Sequence, residues 1–304
     1  MVKNINNNQK WVSSLLVFII IIAISIFAPW EDAYQKAGLK TDSNIDNYPL
    51  SVHFIDVGQG DCIFIKIGDN TMLIDSGEKN NDEKIIKYLR NNGVDRVDYI
   101  IATHPHSDHI GAMETIIESF EIKNVIMPRL SEQNMPTTKG YENFLIAVKN
   151  SGANVIAATP FNEYEFGDAN FAILSPSNQS KNLNNMSVVI KLSFGDTSFL
   201  FTGDAESQVE QELISSGYDI RSNVLKMGHH GSNTSNTERF LQAVNPSFSV
   251  ISCGKDNSYG HPHEEVVELL NKYDINYKRT DKNGTIVVGS DGSNLTYITE
   301  RELA

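Results

Sequence analysis

The hydrophobic pattern of the chain begins with one long uncharged stretch. Residues 12–28 carry no charged side chain and lie between Trp11 and Trp30, the two tryptophans of the sequence. A helix from one tryptophan to the other is about 30 Å long, which is the hydrocarbon thickness of a membrane. Tryptophans at both ends are typical of membrane interfaces. The pattern therefore predicts one transmembrane helix.

The charges on either side of this stretch predict its orientation. Lys3 and Lys10 precede it, and Glu31 and Asp32 follow it directly, so the N-terminus is expected in the cytoplasm and the rest of the chain outside. The sequence before Ala28 does not match the small-residue pattern of a signal-peptidase site. An uncleaved, single-pass signal anchor in the cell membrane is therefore favoured over a cleaved and secreted form.

These patterns divide the chain into three parts. Residues 1–30 are expected to form a cytoplasmic tip and the membrane anchor. Residues 31–49 are polar and without clear periodicity, which indicates a short stalk. Residues 50–304 form the remaining domain.

From residue 51 onward, apolar strands and amphipathic helices follow one another in two similar rounds. The first round predicts strands at 51–57, 62–67, 71–75, 97–103, 122–128 and 154–158, with helices at 81–91, 110–120 and 144–150. The second round predicts strands at 171–175, 187–194, 197–203, 222–228 and 248–252, with helices at 205–215, 237–244 and 264–273. Three closing strands are predicted at 276–280, 284–290 and 294–299. Two such rounds favour an α/β fold of four layers, αββα, over a doubly wound parallel sheet.

Composition limits the classes of function. The chain has 25 Lys and Arg against 38 Asp and Glu, a net charge of −13, which argues against a broad electrostatic surface for nucleic acid. Any phosphate group is therefore expected to bind locally. Cys62 and Cys253 are the two cysteines, so the sequence supports neither a disulfide scaffold nor a cysteine-rich zinc module.

A histidine-rich segment follows the predicted strand 97–103. His104, His106, Asp108 and His109 lie within six residues. In an extended loop the first two point to the same side and share one metal ion, while the last two, at the turn into the next helix, reach a second ion. These side chains suit zinc, or manganese or iron if more oxygen ligands join them. The alternative is a solvated histidine-rich loop.

Three further positions follow predicted strands. Asp204 is placed either to bridge two metal ions or to cap the next helix. One of the adjacent residues His229 and His230 is expected to be a ligand. Asp75 is expected to hold histidine rings or glycine turns from behind, or to be an ordinary turn residue.

In order and spacing, these residues resemble the metallo-β-lactamase superfamily, over residues 50 to 300. More narrowly the chain resembles the extracytoplasmic metallo-β-lactamase-like domain of ComEC-type DNA-internalisation competence proteins. The segments that carry this resemblance are 54–61, 184–187, 225–232, 258–262 and 279–286. It implies the four-layer sandwich and a metal-dependent hydrolase of phosphodiesters, with DNA as the suggested substrate.

The sequence departs from the superfamily at one ligand. A third histidine usually binds the first metal, but no histidine occurs between His109 and His229. The resemblance therefore leaves Asn184, Asn185 or Ser187, or a water molecule, to take its place.

The resemblance also suggests roles at the late histidine pair. His230 is the expected ligand because Gly231 follows it, as in the superfamily, although the reverse order stays open. His229 then faces substrate and, with His261, protonates the leaving group or binds phosphate, while Asp108 serves both metal and catalysis. Lys226, Ser232, Thr234 and Lys255 are candidate substrate donors or ordinary loop residues, and His53 and His263 are expected to be structural.

Three functions fit these features. Metal ions lower the pKa of bound water to about 7 and so supply hydroxide, which favours a membrane-anchored phosphodiesterase or nuclease. The second candidate hydrolyses a small envelope phosphoester or a lactone, which the acidic composition favours, and the third is a non-catalytic metal-binding module. The expected cofactor is one or two zinc ions, and the expected partners are membrane lipid and a phosphoester or DNA. No protein partner is inferred.

Overall fold

The computed structural model describes residues 39–41, 45 and 48–301. The predicted membrane span at 12–28 lies outside the described residues. Within the described part of the chain, no helix has both the length and the apolar character needed to cross a membrane. The chain divides into two compact units, Met1–Thr41 and Asp42–Ala304. The described part of the first is a short strand, β1 (Leu39–Thr41).

The second unit contains the strands and helices of both predicted rounds. The strands are β2 (Leu50–Phe54), β3 (Ile63–Ile67), β4 (Asn70–Ile74), β5 (Arg96–Ile101), β6 (Glu121–Met127), β7 (Asn154–Ala157), β8 (Glu163–Phe166), β9 (Ala169–Ser175), β10 (Val189–Phe194), β11 (Thr197–Phe201), β12 (Val224–Lys226), β13 (Phe248–Ile251), β14 (Asn276–Arg279), β15 (Ile286–Ser290) and β16 (Leu295–Thr299). The helices are α1 (Asp82–Asn91), α2 (Ser107–Ile110), α3 (Met113–Ser119), α4 (Lys139–Ser151), α5 (Ser207–Ser215), α6 (Glu238–Val244), α7 (Glu264–Lys272) and α8 (Thr280–Asn283).

The strands of this unit form two mixed sheets. The first has the order β16-β15-β2-β3-β4-β5-β6-β7, antiparallel from β16 to β4 and parallel from β4 to β7. The second has the order β14-β13-β12-β11-β10-β9-β8, parallel from β14 to β11 and antiparallel from there to β8. Each sheet therefore has a parallel half, in which the strands end at the same edge.

Helices cover one face of the first sheet. Ile85 of α1, Ile116 of α3 and Phe144 of α4 belong to one buried cluster. That cluster also contains Phe64 of β3 and Leu73 of β4. These three helices therefore form an outer layer on the first sheet.

The second sheet alternates its side chains between helices and the other sheet. Leu200 of β11 lies in a cluster with Leu241 of α6. The next residue, Phe201, points to the opposite face and lies 6.2 Å, centroid to centroid, from Phe54 of the first sheet. The layers therefore run helix, sheet, sheet, helix, which confirms the predicted four-layer sandwich.

One predicted helix is divided in the structure. The expected helix at 110–120 forms instead as α2 and α3, with a turn at Gly111. A side-chain carbon at Gly111 would lie 2.4 Å from the carbonyl oxygen of Ser107 and 2.5 Å from the backbone nitrogen of Lys79. The close approach of the segment at Lys79 requires glycine at this turn.

The compact unit begins before the predicted boundary at residue 50. Ile45 and Tyr48, in the predicted stalk, pack against Gly289 of β15, where a side-chain carbon would lie 3.0 and 2.9 Å from them. Ile45 is buried. The end of the predicted stalk is thus part of the sandwich.

Candidate metal centre

Loops from both sheets meet at one edge of the sandwich. Asp75 directly follows β4, and His104 follows β5 after two residues. Asp204 follows β11, and His230 follows β12. Because β4 and β5 are parallel, and β11 and β12 are parallel, their ends carry these side chains to a common place between the two sheets.

The first group of prospective ligands comprises His104, His106 and Asp204. Their donor atoms all lie within 4.8 Å of one another. Nε2 of His104 is 3.6 Å from Oδ2 of Asp204 and 3.0 Å from Nδ1 of His106. His104 and Asp204 are buried, and His106 is half-buried.

The second group comprises Asp108, His109 and His230. Nε2 of His230 is 3.3 Å from Oδ2 of Asp108. Asp204 lies between the two groups, because its carboxylate oxygens are 3.2 Å from Nε2 of His109 and 3.6 Å from Nε2 of His230. The structure thus brings together all six residues predicted to be metal ligands, with Asp204 between the two groups.

Three histidine rings of the cluster are oriented by hydrogen bonds at their Nδ1 atoms. Nδ1 of His109 donates to Asp75 at 2.7 Å, and Nδ1 of His230 donates to the carbonyl oxygen of Ser252 at 3.0 Å. Thr103 gives its hydroxyl proton to Asp75, so it accepts from Nδ1 of His104 at 3.1 Å. Each ring therefore turns its Nε2 towards the cluster, which is the arrangement of metal-binding histidines.

Several buried polar atoms of the cluster lack a hydrogen bond. Oδ1 of Asp204, Nε2 of His109, Nε2 of His230 and Oδ1 of Asn184 have no hydrogen-bond partner among the described residues. Such atoms are costly to bury unpaired. Imidazole and carboxylate are zinc ligands, and two ligands of one tetrahedral zinc lie about 3.4 Å apart, close to the distances here. The residues therefore fit one or two metal ions.

The carboxylates of the cluster attract positive charge. Burial opposes protonation of His230, but Asp204, Asp108 and Asp61 outweigh it and raise its pKa to about 9. The pKa of His109 is likewise raised well above its usual value, against burial, by Asp204 and Asp75. The carboxylates of the cluster therefore favour positive charge at this place, which suits it to bind cations.

Two other histidines are held neutral. Burial lowers the pKa of His229. Burial, together with the rings of His230 and His229, lowers the pKa of His261 to about 4. Both are therefore uncharged near neutral pH.

Asp75 contacts the ring of His109 on the side away from Asp204. It is fully buried, and besides His109 it accepts from the backbone N–H of Thr103 at 2.8 Å and from the Thr103 hydroxyl at 2.6 Å. Its backbone has φ 58°, a strained conformation for a non-glycine residue. The turn after β4 thus fixes one carboxylate against one imidazole.

A buried ion pair behind His230 was not predicted. Oδ2 of Asp61 lies 2.7 Å from Nζ of Lys226, and Oδ1 of Asp61 lies 3.3 Å from Nδ1 of His230. The ammonium of Lys226 is fully buried and also donates to the carbonyl oxygen of Met227. This argues against the predicted contact of Lys226 with substrate. The sequence signal for Asp61 was a carboxylate in the turn after β2, within segment 54–61.

The two candidate asparagines, Asn184 and Asn185, differ in whether their side-chain oxygen is already hydrogen-bonded. Oδ1 of Asn185 accepts from the backbone N–H of Glu206 at 3.0 Å and is thereby occupied. Asn184 donates to the Glu206 carboxylate at 3.1 Å, which leaves its own Oδ1 buried and unpartnered. Ser187 accepts from the backbone N–H of Asp204. Asn184 is therefore the better candidate for the missing ligand.

A cavity of about 340 Å³ opens over the cluster. Its lining includes the expected catalytic residues Asp108, His229 and His261, and two residues with no predicted role, Gln59 and Tyr259. Both unpredicted residues lie in segments that carry the family resemblance, at 54–61 and 258–262. The remaining lining residues are Ser107, His106, Asn184, Asp204 and His230.

The other expected substrate donors lie near the cavity or beside it. The hydroxyl of Thr234 is exposed and 3.1 Å from Nδ1 of His229, whereas Ser232 is buried and 3.1 Å from Thr234. Lys255 is exposed on the loop that carries Tyr259, outside the set of described residues that line the cavity. Thr234 also lies outside this lining, but its hydroxyl contacts the ring of His229, which is part of the lining.

Both histidines expected to be structural have protein partners. Nδ1 of His53 is 2.8 Å from the Tyr88 hydroxyl, and its Nε2 is 2.9 Å from the Ser51 hydroxyl. Nδ1 of His263 accepts from the backbone N–H of Asn233 at 2.9 Å.

Residues 55–255 match the family model described as the metallo-beta-lactamase superfamily. The chain belongs to the metallo-beta-lactamase superfamily. Members of this superfamily are generally metal-dependent hydrolases, and their fold binds one or two metal ions.

Curated relatives confirm the narrower resemblance to competence proteins. The chain is 33% identical over 254 residues to ComE operon protein 3 of Bacillus subtilis. The aligned region covers 77% of this chain and 32% of that protein. The chain is 31% identical over 238 residues to competence protein ComA of Neisseria gonorrhoeae, covering 77% and 31%. It is 31% identical to recombination protein 2 of Haemophilus influenzae, covering 78% and 28%. The chain thus spans about a third of the length of these relatives.

Solved structures support the fold. CmlA beta-hydroxylase, as its E377D mutant, aligns with a TM-score of 0.55 at 13% identity, covering 79% of this chain and 54% of that one. Igni18, a metallo hydrolase of Ignicoccus hospitalis, aligns with a TM-score of 0.50 at 14% identity, covering 78% and 98%. At these identities the likeness concerns architecture alone.

Proposed function

We propose that this chain is a metal-dependent phosphodiesterase that holds two divalent ions, zinc in the first instance. The observation that carries the proposal is the pair of ligand groups that share Asp204 beneath an open cavity. These groups contain buried polar atoms without hydrogen bonds and histidine rings whose Nδ1 atoms are hydrogen-bonded. Both features fit a two-metal site better than a purely structural polar cluster. A non-catalytic module would not need the cavity above them.

The proposed ligands fall into two sets. His104 and His106 would hold one ion, with Asn184 in place of the missing histidine. Asp108, His109 and His230 would hold the other. Asp204, which lies between the two groups, would contribute to both.

In this site the metal ions would lower the pKa of bound water and stabilise the charge that develops on the phosphoryl oxygens. The chain's own residues supply the remaining functions. His229 and His261 border the cavity, and their ring N–H groups would donate hydrogen bonds to phosphoryl oxygens or to the leaving oxygen. The Thr234 hydroxyl orients His229.

A phosphodiester is the proposed substrate because of the named relatives. Competence and recombination both involve DNA, whose backbone consists of phosphodiesters. The acidic composition does not oppose this proposal at the site itself, since two dications would offset the local carboxylates. A small envelope phosphoester or a lactone is the competing outcome.

The experiment compares the purified full chain, loaded with zinc or manganese, on several substrates. These are single- and double-stranded DNA, bis-p-nitrophenyl phosphate and a lactone panel. We expect metal-dependent phosphodiester cleavage that Asp108→Ala/His230→Ala abolishes and the exposed-site control Asp69→Asn keeps. Cleavage that survives the double substitution, or activity on lactones alone, would contradict the proposal. DNA cleavage should also weaken steeply with salt, whereas turnover of a small ester should not.

We also propose that residues 12–28 anchor the chain in the cell membrane, with the metal centre on the outer side. The uncharged stretch and its flanking charges support this. The full chain should sediment with membranes and be digested by protease added to intact spheroplasts. A chain without residues 2–30 should stay in the soluble fraction. Protection of the full chain in intact spheroplasts would reverse the proposed orientation.

A further inference from the structure

We infer that Tyr259 determines specificity by stacking on a nucleobase of a strand whose phosphodiester lies at the metal centre. The inference rests on the proposed function and deepens it. It selects a substrate that carries planar bases over a small aliphatic ester.

Tyr259 is an exposed aromatic ring at the mouth of the cavity. Its exposed fraction is 64%, against 49% for Phe161. Such exposure leaves ring surface available to a ligand, although most large aromatic side chains of this fold are buried. No core-packing role therefore accounts for an aromatic residue here.

A row of rings connects Tyr259 with the metal centre. Tyr259 stacks on His261 with centroids 5.6 Å apart and planes 17° apart. His261 in turn lies 5.5 Å from the ring of His229 and 6.1 Å from that of His230. A phosphate that accepts a hydrogen bond from His261 would therefore have the exposed ring of Tyr259 beside it.

The loop that carries Tyr259 is held in place before any ligand binds. Nδ2 of Asn257 donates to the carbonyl oxygens of Gly254 and His261, and Oδ1 of Asn257 accepts from the backbone N–H of His261. The backbone N–H of Gly254 donates to the side chain of Gln59, in the turn between β2 and β3 of the first sheet. A pre-placed ring loses little freedom on binding.

The charge of the chain explains why stacking is needed. At a net charge of −13, the long-range electrostatic interaction of the chain with a polyanion is weakly attractive at best and otherwise repulsive. Base stacking on an aromatic side chain does not depend on charge and tolerates every base. Removal of one such contact weakens binding about 10-fold.

The test measures binding by the full, zinc-loaded chain. Fluorescence anisotropy gives dissociation constants for labelled oligothymidylate and for an abasic oligonucleotide of equal length and charge. We expect about 10-fold tighter binding of oligothymidylate by the wild type. Tyr259→Ala should bind both equally, while Tyr259→Phe and Tyr259→Trp keep the preference. Phe161→Ala removes another exposed ring, outside the described cavity lining, and should keep it too.

Each other outcome overturns the inference. Equal binding of both oligonucleotides by the wild type would show that no base is contacted. A preference that survives in Tyr259→Ala would place the contact elsewhere, and an equal loss for both oligonucleotides would assign Tyr259 to support of the loop. Cleavage by the same samples is read separately on gels, so failure of the proposed phosphodiesterase activity is distinguishable from failure of base stacking.

Discussion

Nδ1 of His109 lies 2.7 Å from Oδ2 of Asp75, and neither side chain is exposed. The hydrogen bond fixes the ring and directs Nε2 towards Asp204, 3.2 Å away. Asp75 in turn accepts hydrogen bonds from Thr103. The residue that follows β4 therefore determines the orientation of His109, which follows β5.

Asp75→Asn should weaken zinc binding by about 10- to 100-fold, since partners behind a metal-binding histidine contribute this much. Competition with a chromophoric chelator measures the affinity. Asp219→Asn, at an exposed ion pair with Arg221, serves as the control and should bind zinc like the wild type. Unchanged zinc affinity in Asp75→Asn, with an unchanged melting temperature, would show that His109 does not depend on Asp75.

The two neighbouring asparagines should give different defects. Asn184→Ala should reduce the zinc content from two ions per chain towards one, because it removes the proposed replacement ligand. Asn185→Ala should keep the zinc content but lower the free energy of unfolding by about 1 kcal/mol, because Glu206 loses its acceptor. Elemental analysis and urea unfolding measure the two quantities. An exchange of these two results would make Asn185 the ligand.

Lys226→Met should lower the free energy of unfolding by about 3–5 kcal/mol, because it leaves the carboxylate of Asp61 buried without its counter-ion. The double variant Lys226→Met/Asp61→Asn should recover part of the loss. Urea unfolding of the metal-free protein gives these values. The exposed Lys255→Met is the matched control, with a change within about 0.5 kcal/mol. Equal effects at both lysines would contradict the buried pair.

Acid should remove a contribution of Asp98 to stability. Burial opposes ionisation of Asp98, but Lys123, the Thr71 backbone N–H and Arg96 outweigh it and lower its pKa. A carboxylate with a lowered pKa stabilises the fold above its unfolded pKa of about 3.9, and this stabilisation is lost as pH falls through the folded pKa. The difference in urea midpoint between wild type and Asp98→Asn should therefore shrink from pH 7 to pH 3.

Asp69→Asn, an exposed position, is the control for Asp98→Asn and should show little difference at either pH. A difference for Asp98→Asn that grows towards acid pH would reverse the predicted sign.

Strand and helix order were predictable because their signals are local. The two rounds of strands and helices appear at nearly the predicted positions, since period-2 and helical hydrophobic patterns depend on near neighbours. β8 was missed although its sequence alternates: Glu163 and Glu165 are exposed while Phe166 is buried. The turn at Gly111 was missed because it results from contact with a distant segment at Lys79.

The sequence alone determined the family and the ligand types, because His104 to His109 form a dense motif whose spacing is readable without a structure. It did not determine the pairing of Lys226 with Asp61 or the choice between Asn184 and Asn185. Those depend on how the second sheet faces the first, which brings residues far apart in the chain into contact and decides which polar atoms are buried. The same packing places Tyr259, to which the sequence assigned no role, at the mouth of the metal centre.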